Sequence, residues 1–148
     1  MSMFSSFNIN ASGMTAQRYR MDIIAENVAN AETTRTKDGT PYRRKMVTFE
    51  EKDSKTNFKH ILSKSIDQYS GKGVKVHGVY EDTVQDFIKV YDPAHPDADE
   101  NGYVMYPNVN IVTEMTNMID AERAYQANAT AFTASKAMAM KGLEIGKT

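Results

Sequence analysis

From Ile111 to Lys141 the chain contains neither proline nor glycine, and Ile111, Met118, Tyr125, Phe132 and Ala139 recur at intervals of seven. That spacing marks a helix that keeps one face against a partner helix. Met115, Ala129 and Leu143 each lie four residues after a member of the series. Pro107 closes the preceding loop, Asn108 or Asn110 supplies a cap, and Gly142 and Gly146 mark the fraying end. The helix so defined is about 50 Å long.

A shorter helix is expected near the start. Asn10 or Ser12 can cap it, and Met14, Gln17, Met21, Ile24 and Val28 then alternate at spacings of three and four. Ala16, Ala25 and Ala29 widen the stripe and permit close approach. This helix should stop near Asn30, before Thr33-Thr34-Arg35-Thr36, after about 27 Å. It is too short to cover its partner, so part of the longer stripe must lie against something else. The longer seam is also imperfect: Glu122 and Lys136 fall on it, with Asn128 and Ser135 beside it. A monomeric core penalises such groups, whereas polar contacts between subunits tolerate them.

Between the helices the pattern changes to turns and short strands. Lys37-Asp38-Gly39-Thr40-Pro41 signals a turn, and Tyr42 to Phe49 reads as a strand. Gly71-Lys72-Gly73 reads as a hinge before the alternating strand Val74 to His77. Phe87 to Tyr91 and Tyr103 to Tyr106 are further extended pieces, flanking a polar loop from Asp92 to Gly102. Residues 51–70 have weak periodicity and read as mobile or locally helical. The expected architecture is mainly α: long N- and C-terminal helices packed as a coiled-coil-like unit, with a small β-containing middle segment. Its divisions are 1–34, 35–107 and 108–148.

Composition bears on how such a chain completes its core. It has two leucines, nine isoleucines, ten valines and six phenylalanines, about 18% of the chain. Values below about 20% accompany disorder when net charge is high. Here the net charge is only −1, and ten methionines and many alanines replace leucine. We read a chain that folds marginally alone and finishes its packing against partners; a small monomer with a Met- and Ala-filled core is the alternative. Charge is polarised within the middle. Residues 31–75 carry eleven basic and six acidic groups, and residues 76–110 carry one basic and seven acidic. The two halves either neutralise each other or meet opposite patches on other subunits.

Little in the sequence points to catalysis. His60, His77 and His95 lack metal-ligand spacing, and the carboxylates from Asp92 to Glu100 are interrupted by Pro93 and Pro96, against the EF-hand pattern. Without cysteine there is no thiol nucleophile or Cys-based zinc site. No cofactor is expected. No basic face with interleaved aromatics suggests nucleic acid, and no apolar run reaches the roughly 20 residues of a membrane span. The first ten residues lack the basic region and apolar core of a secretory signal.

Two segments carry a resemblance. Ser12-Gly13-Met14, Ala16, Arg18, Asp22, Ala25 and Asn27-Val28-Ala29-Asn30-Ala31, with Thr33-Thr34 after them, resemble the N-terminal motif of the flagellar rod and hook axial protein family. Glu26 stands where many members carry asparagine. Val109 to Val112, Glu114-Met115, Ala121 and Arg123-Ala124-Tyr125-Gln126-Ala127-Asn128 are similar to that family's C-terminal helix motif. The Asp92 to Asn108 stretch and the short middle resemble its proximal-rod members in particular.

The resemblance implies a structural subunit that assembles helically with other rod proteins and with copies of itself, in a periplasmic drive shaft linking motor to hook. It also implies delivery by the flagellar type III export apparatus without a cleaved signal, for which Met3, Phe4, Phe7 and Ile9 could dock; packing against the first helix is the equal alternative. The expected assembly contacts are Met14, Met21, Ile24, Asn27, Val28, Asn30, Met118, Arg123, Tyr125, Asn128 and Phe132. The apolar members pack the helices within or between subunits. Asn27 and Asn30 satisfy backbone groups at the helix end or cross to a neighbour, and Arg123 pairs with an adjacent subunit. Another axial or junction protein, or a soluble helical binding module such as an export chaperone, is the competing reading.

Overall fold

The computed structural model describes residues 3–52 and 72–146. Most of the 51–70 stretch, His60 and Gly71 lie outside them. The chain is mainly helical, with a small β-containing middle. Helix α1 spans Met3–Ala29 and helix α2 spans Ile111–Ile145. Between them lie β1 (Lys45–Glu51), β2 (Val74–Glu81), β3 (Ile88–Tyr91) and β4 (Tyr103–Tyr106). Strands β1 and β2 form one two-stranded sheet and β3 and β4 another. The β3–β4 ribbon is antiparallel, pairing Ile88 with Tyr106 and Tyr91 with Tyr103.

Two compact units partition the chain. The first comprises Met1–Tyr19, Phe49–His77 and Ala121–Thr148, and the second Arg20–Thr48 and Gly78–Asp120. In the first unit α1 and α2 run antiparallel. The Phe7 and Phe132 rings meet edge to face at 5.1 Å, and Gly13 abuts Asn128 one and a half turns further along. A Cβ on Gly13 would stand 2.7 Å from Asn128 Oδ1, so only glycine permits this approach without displacing the amide. Ala16 and Ala121 are buried here too, which makes the helix contact a small-residue one.

Helix α1 begins earlier than its sequence signals. Ser12 is no cap: its hydroxyl donates to Ile9 O at 2.7 Å and accepts from Val74 N at 3.0 Å, tying α1 to the start of β2. Gly73 accommodates this with a φ of 90°, and a Cβ there would collide with Ser12 Oγ. Half-buried Phe7 and Ile9 extend the helix by packing, which overrides weak intrinsic propensity. At 27 residues α1 is about 40 Å long, against about 52 Å for the 35 residues of α2. The end of α2 accordingly leaves Met138, Met140, Leu143 and Ile145 exposed.

The buried face of α2 also differs from expectation. Met118, Tyr125, Phe132 and Ala139 are half-buried as the heptad predicts, but Ile111, Met115 and Leu143 are exposed. The adjoining buried line is Glu114, Ala121, Asn128 and Ser135, not the line through Glu122 and Lys136, both of which are exposed. Small residues bring the backbones close, and this favours the line that carries Ala121. On α1, Ala25 and Ala29 are exposed and only Ala16 of the three alanines is buried. In the second unit Asn110 caps α2, its Oδ1 accepting from Thr113 N at 3.1 Å.

Candidate assembly site

The second unit is closed by polar groups as much as by apolar ones. Its buried side chains include Ile24, Tyr42, Val104 and Val109, but also Asn27, Asp82, Asn108 and Glu114. Asn27 and Glu114 are each only 1% exposed.

Asn27 uses its whole carboxamide within the chain. Nδ2 donates to Lys45 O at 2.8 Å and to Glu114 Oε2 at 3.0 Å. Oδ1 accepts from Tyr42 Oη and from Lys45 N, both at 2.9 Å. Two donors and two acceptor sites are all that an amide side chain offers. Asn27 thus joins the end of α1 to the segment entering β1 and to α2. Asn30 closes the helix end, its Nδ2 donating to Glu26 O at 2.9 Å and its Oδ1 accepting from Thr33 Oγ1 at 3.2 Å.

Glu114 gathers the complementary donors. Oε1 accepts from Arg44 Nε at 3.0 Å, Arg44 Nη2 at 2.7 Å and Asn117 Nδ2 at 3.2 Å. A two-pronged guanidinium contact of this kind is stronger and more directional than a point charge. Arg44 Nη1 also lies 3.5 Å from Asp82 Oδ2. Asn108 binds the remaining backbone. Its Oδ1 accepts from Arg44 N at 2.9 Å, and its Nδ2 donates to the carbonyls of Asp82 and Gln85 at 3.0 and 3.2 Å. Lys45 pairs with Glu26 at 2.5 Å. Burial, then the charges of Glu26, Glu114 and Glu81, push the Tyr42 hydroxyl up to about 12. It therefore stays a neutral donor at physiological pH.

Pairings within the middle absorb part of its polarised charge: Arg44 meets Asp82, and Arg35 lies 3.6 Å from Asp97. In the first unit Glu50 contacts Lys75 and His77, and the Lys75 hydrogen bond, more than that of His77, holds the Glu50 carboxyl below the usual carboxylate range. In the polar loop Asp92 and Asp99 accept from backbone amides two to four residues on, so these carboxylates shape turns. Among the described residues no group of three or more His, Cys, Asp or Glu side chains converges as metal ligands. Among them no helix is long and apolar enough to cross a membrane.

The expected contact residues divide between the units. Met14, Arg123, Tyr125, Asn128 and Phe132 belong to the first, and Met21, Ile24, Asn27, Val28, Asn30 and Met118 to the second. Ile24 and Asn27 are buried, the others half-buried except Arg123, which is exposed and has no hydrogen-bond or ionic partner among the described residues. Sequence reasoning missed Tyr42, Arg44, Asp82, Asn108 and Glu114 as parts of one network. The signal was the heptad phase that Glu114 shares with Ala121 and Asn128, where a charge demands a buried partner.

Comparison with known proteins gives this framework a class. The family described as "Flagella basal body rod protein" matches residues 7–37, and "Flagellar basal body rod FlgEFG protein C-terminal" matches residues 100–145. The matches fall on the two helices and the segment that leads into the second, and they define an axial component of the flagellum. Similarity then extends over the full length. "Flagellar basal-body rod protein FlgC" of Bacillus subtilis is 46% identical, across 99% of this chain and 100% of that protein. The proteins so named from Borreliella burgdorferi and Salmonella typhimurium are 44% and 38% identical, covering 98% and 99% of this chain and 98% and 100% of their own lengths. The chain belongs to the FlgC family of flagellar basal-body rod proteins, structural components of the basal body.

Proposed function

We propose that this chain is a subunit of the proximal rod, stacking helically with copies of itself and with other rod proteins to carry torque from motor to hook. The observation that carries the reading is the full-length similarity to FlgC proteins, at up to 46% identity among those named above. The work is mechanical, with no catalytic step and no cofactor. The terminal segments, 1–34 and 108–148, form a coiled-coil-like inner layer and residues 35–107 lie outside it. Met14, Met21, Ile24, Val28, Met118, Tyr125 and Phe132 line the helix contacts, and Asn128 takes part through its fit to Gly13. Arg123 is exposed and available to a neighbour's carboxylate or carbonyl. One such surface pair contributes up to about 1 kcal/mol, but repetition at every contact sets register. A non-closing, head-to-tail contact of this kind generates a filament.

The chain reaches the periplasm through the flagellar type III export apparatus, and needs neither nucleic acid nor membrane insertion. Exposed apolar groups at the end of α2 support completion of the fold on the growing rod. Far-UV circular dichroism of the purified monomer, set against the helix content of the protein in isolated basal bodies, tests the reading. Lower helicity in the monomer than in the assembly is expected. A fully helical monomer that is absent from basal bodies points instead to a soluble binding module.

A further inference from the structure

We propose that the Asn27–Glu114–Arg44 network is a register lock that selects the rotational phase of α2, and so the side of that helix shown to neighbouring copies of the chain. The proposal concerns the second unit alone and, in its consequence for assembly, rests on the function proposed above.

The first turns of α2 are packed with their less apolar side inward. Glu114, Asn117 and Met118 face the unit, Glu114 fully buried and the other two half-buried. On the outer flank Val112, Met115 and Ile119 are 74, 58 and 49% exposed. At about 100° per residue, Met115 and Ile119 lie roughly 100° and 140° around the helix from Glu114. Apolar burial alone would turn the helix to bury Met115 and Ile119 and release Glu114 to water. In these first turns the observed phase is the opposite one, so here directional bonds outweigh apolar burial.

The network has the geometry for that task. Glu114 receives Asn27 Nδ2 on one oxygen and the Arg44 fork on the other, within 3.0 Å in each case. Asn27 is fixed by Lys45 N, Lys45 O and Tyr42 Oη. Rotating α2 by one residue would break the Glu114 bonds together, leaving Arg44 with Asp82 as its one carboxylate and the Asn27 amide one acceptor short. Buried polar groups that hold register at the expense of stability are well attested in helical assemblies.

The test uses the absence of native cysteine. Met115→Cys is introduced into the full-length chain, alone and together with Glu114→Met and Arg44→Met, and its maleimide labelling rate is measured alongside far-UV circular dichroism. With the network intact the thiol should label quickly. With the apolar pair in its place the chain should stay helical, and labelling should slow at least tenfold as the helix turns its outer flank inward. An unchanged rate overturns the proposal. Loss of helical signal overturns it as well, since the network would then hold the unit together without choosing a phase. In cells lacking the native protein, Glu114→Met with Arg44→Met should enter basal bodies at least tenfold less than wild type; incorporation at the wild-type level overturns the proposal. Absence of the wild-type chain from basal bodies sinks the function proposed above and leaves the labelling result standing.

Discussion

Exchanging one heavy atom at the centre of the second unit gives a sharp test of its construction. Asn27→Asp keeps size and shape, and the retained oxygen still accepts from Tyr42 Oη and Lys45 N. The former Nδ2 position becomes a second oxygen facing Lys45 O at 2.8 Å and Glu114 Oε2 at 3.0 Å. Each acceptor that loses its donor costs about 1–3 kcal/mol. Two like charges about 3 Å apart add about 5 kcal/mol at an effective dielectric of 20, which the Arg44 guanidinium offsets in part. The two orphaned acceptors alone come to about 2–6 kcal/mol and the repulsion that Arg44 leaves adds to it, so we expect a loss of more than about 2 kcal/mol, against a typical total of about 5–15 kcal/mol for a folded domain. Asn27→Ala adds no charge but leaves all four partners unpaired, Tyr42 Oη and Lys45 N as well as Lys45 O and Glu114 Oε2, so it too should destabilise by more than about 2 kcal/mol. Urea unfolding at pH 7, followed by far-UV circular dichroism and by amide exchange at Lys45, measures both. An Asn27→Asp loss below about 1 kcal/mol would refute the network as drawn.

Three further expectations concern separate parts of the chain. Gly13→Ala should be close to neutral in urea unfolding, because the usual helix gain of about 1 kcal/mol is cancelled by displacement of Asn128; in an Asn128→Ala background the gain should reappear, and a simple sum of the two single effects would contradict the packing. The Tyr42 hydroxyl, ordinarily near 10, is pushed up to about 12 in the folded chain, so its contribution is complete below pH 10 and is lost as pH rises from about 10 to 12; stability measured across that range should fall by no more than about 3 kcal/mol more in wild type than in Tyr42→Phe, and identical profiles would remove tyrosine as the cause. Arg123→Glu should block incorporation into rods while leaving the monomer's helicity unchanged, and normal incorporation would exclude an intersubunit role for this exposed side chain.

Both helices, the strand pieces and the Asn110 cap were legible because each is written in local periodicity or turn chemistry. The start of α1 was hidden because Ser12 looks like a cap while its hydroxyl serves β2, a partner 62 residues away in sequence. The inner face of α2 was read with the wrong flanking line, because the spacing of three and four fits Glu122 as well as Ala121; what marks the Ala121 line is the close approach at Gly13 and Asn128 in one unit and the bonds to buried Glu114 in the other. Asn27 stood out by its motif, but its role did not. Its partners Tyr42, Lys45 and Glu114 lie 15, 18 and 87 residues further on, and a hydrogen-bond network of that reach leaves no periodic trace.

Incorporation into the rod is the property on which the proposed function stands. Cryo-electron microscopy of basal bodies, from cells in which this chain replaces the native FlgC protein, would show it. Repeated copies are expected in the proximal rod, with α1 and α2 in the inner layer and the β-containing middle outside. Intact rods that lack the chain, or that carry it only at their surface, would contradict it.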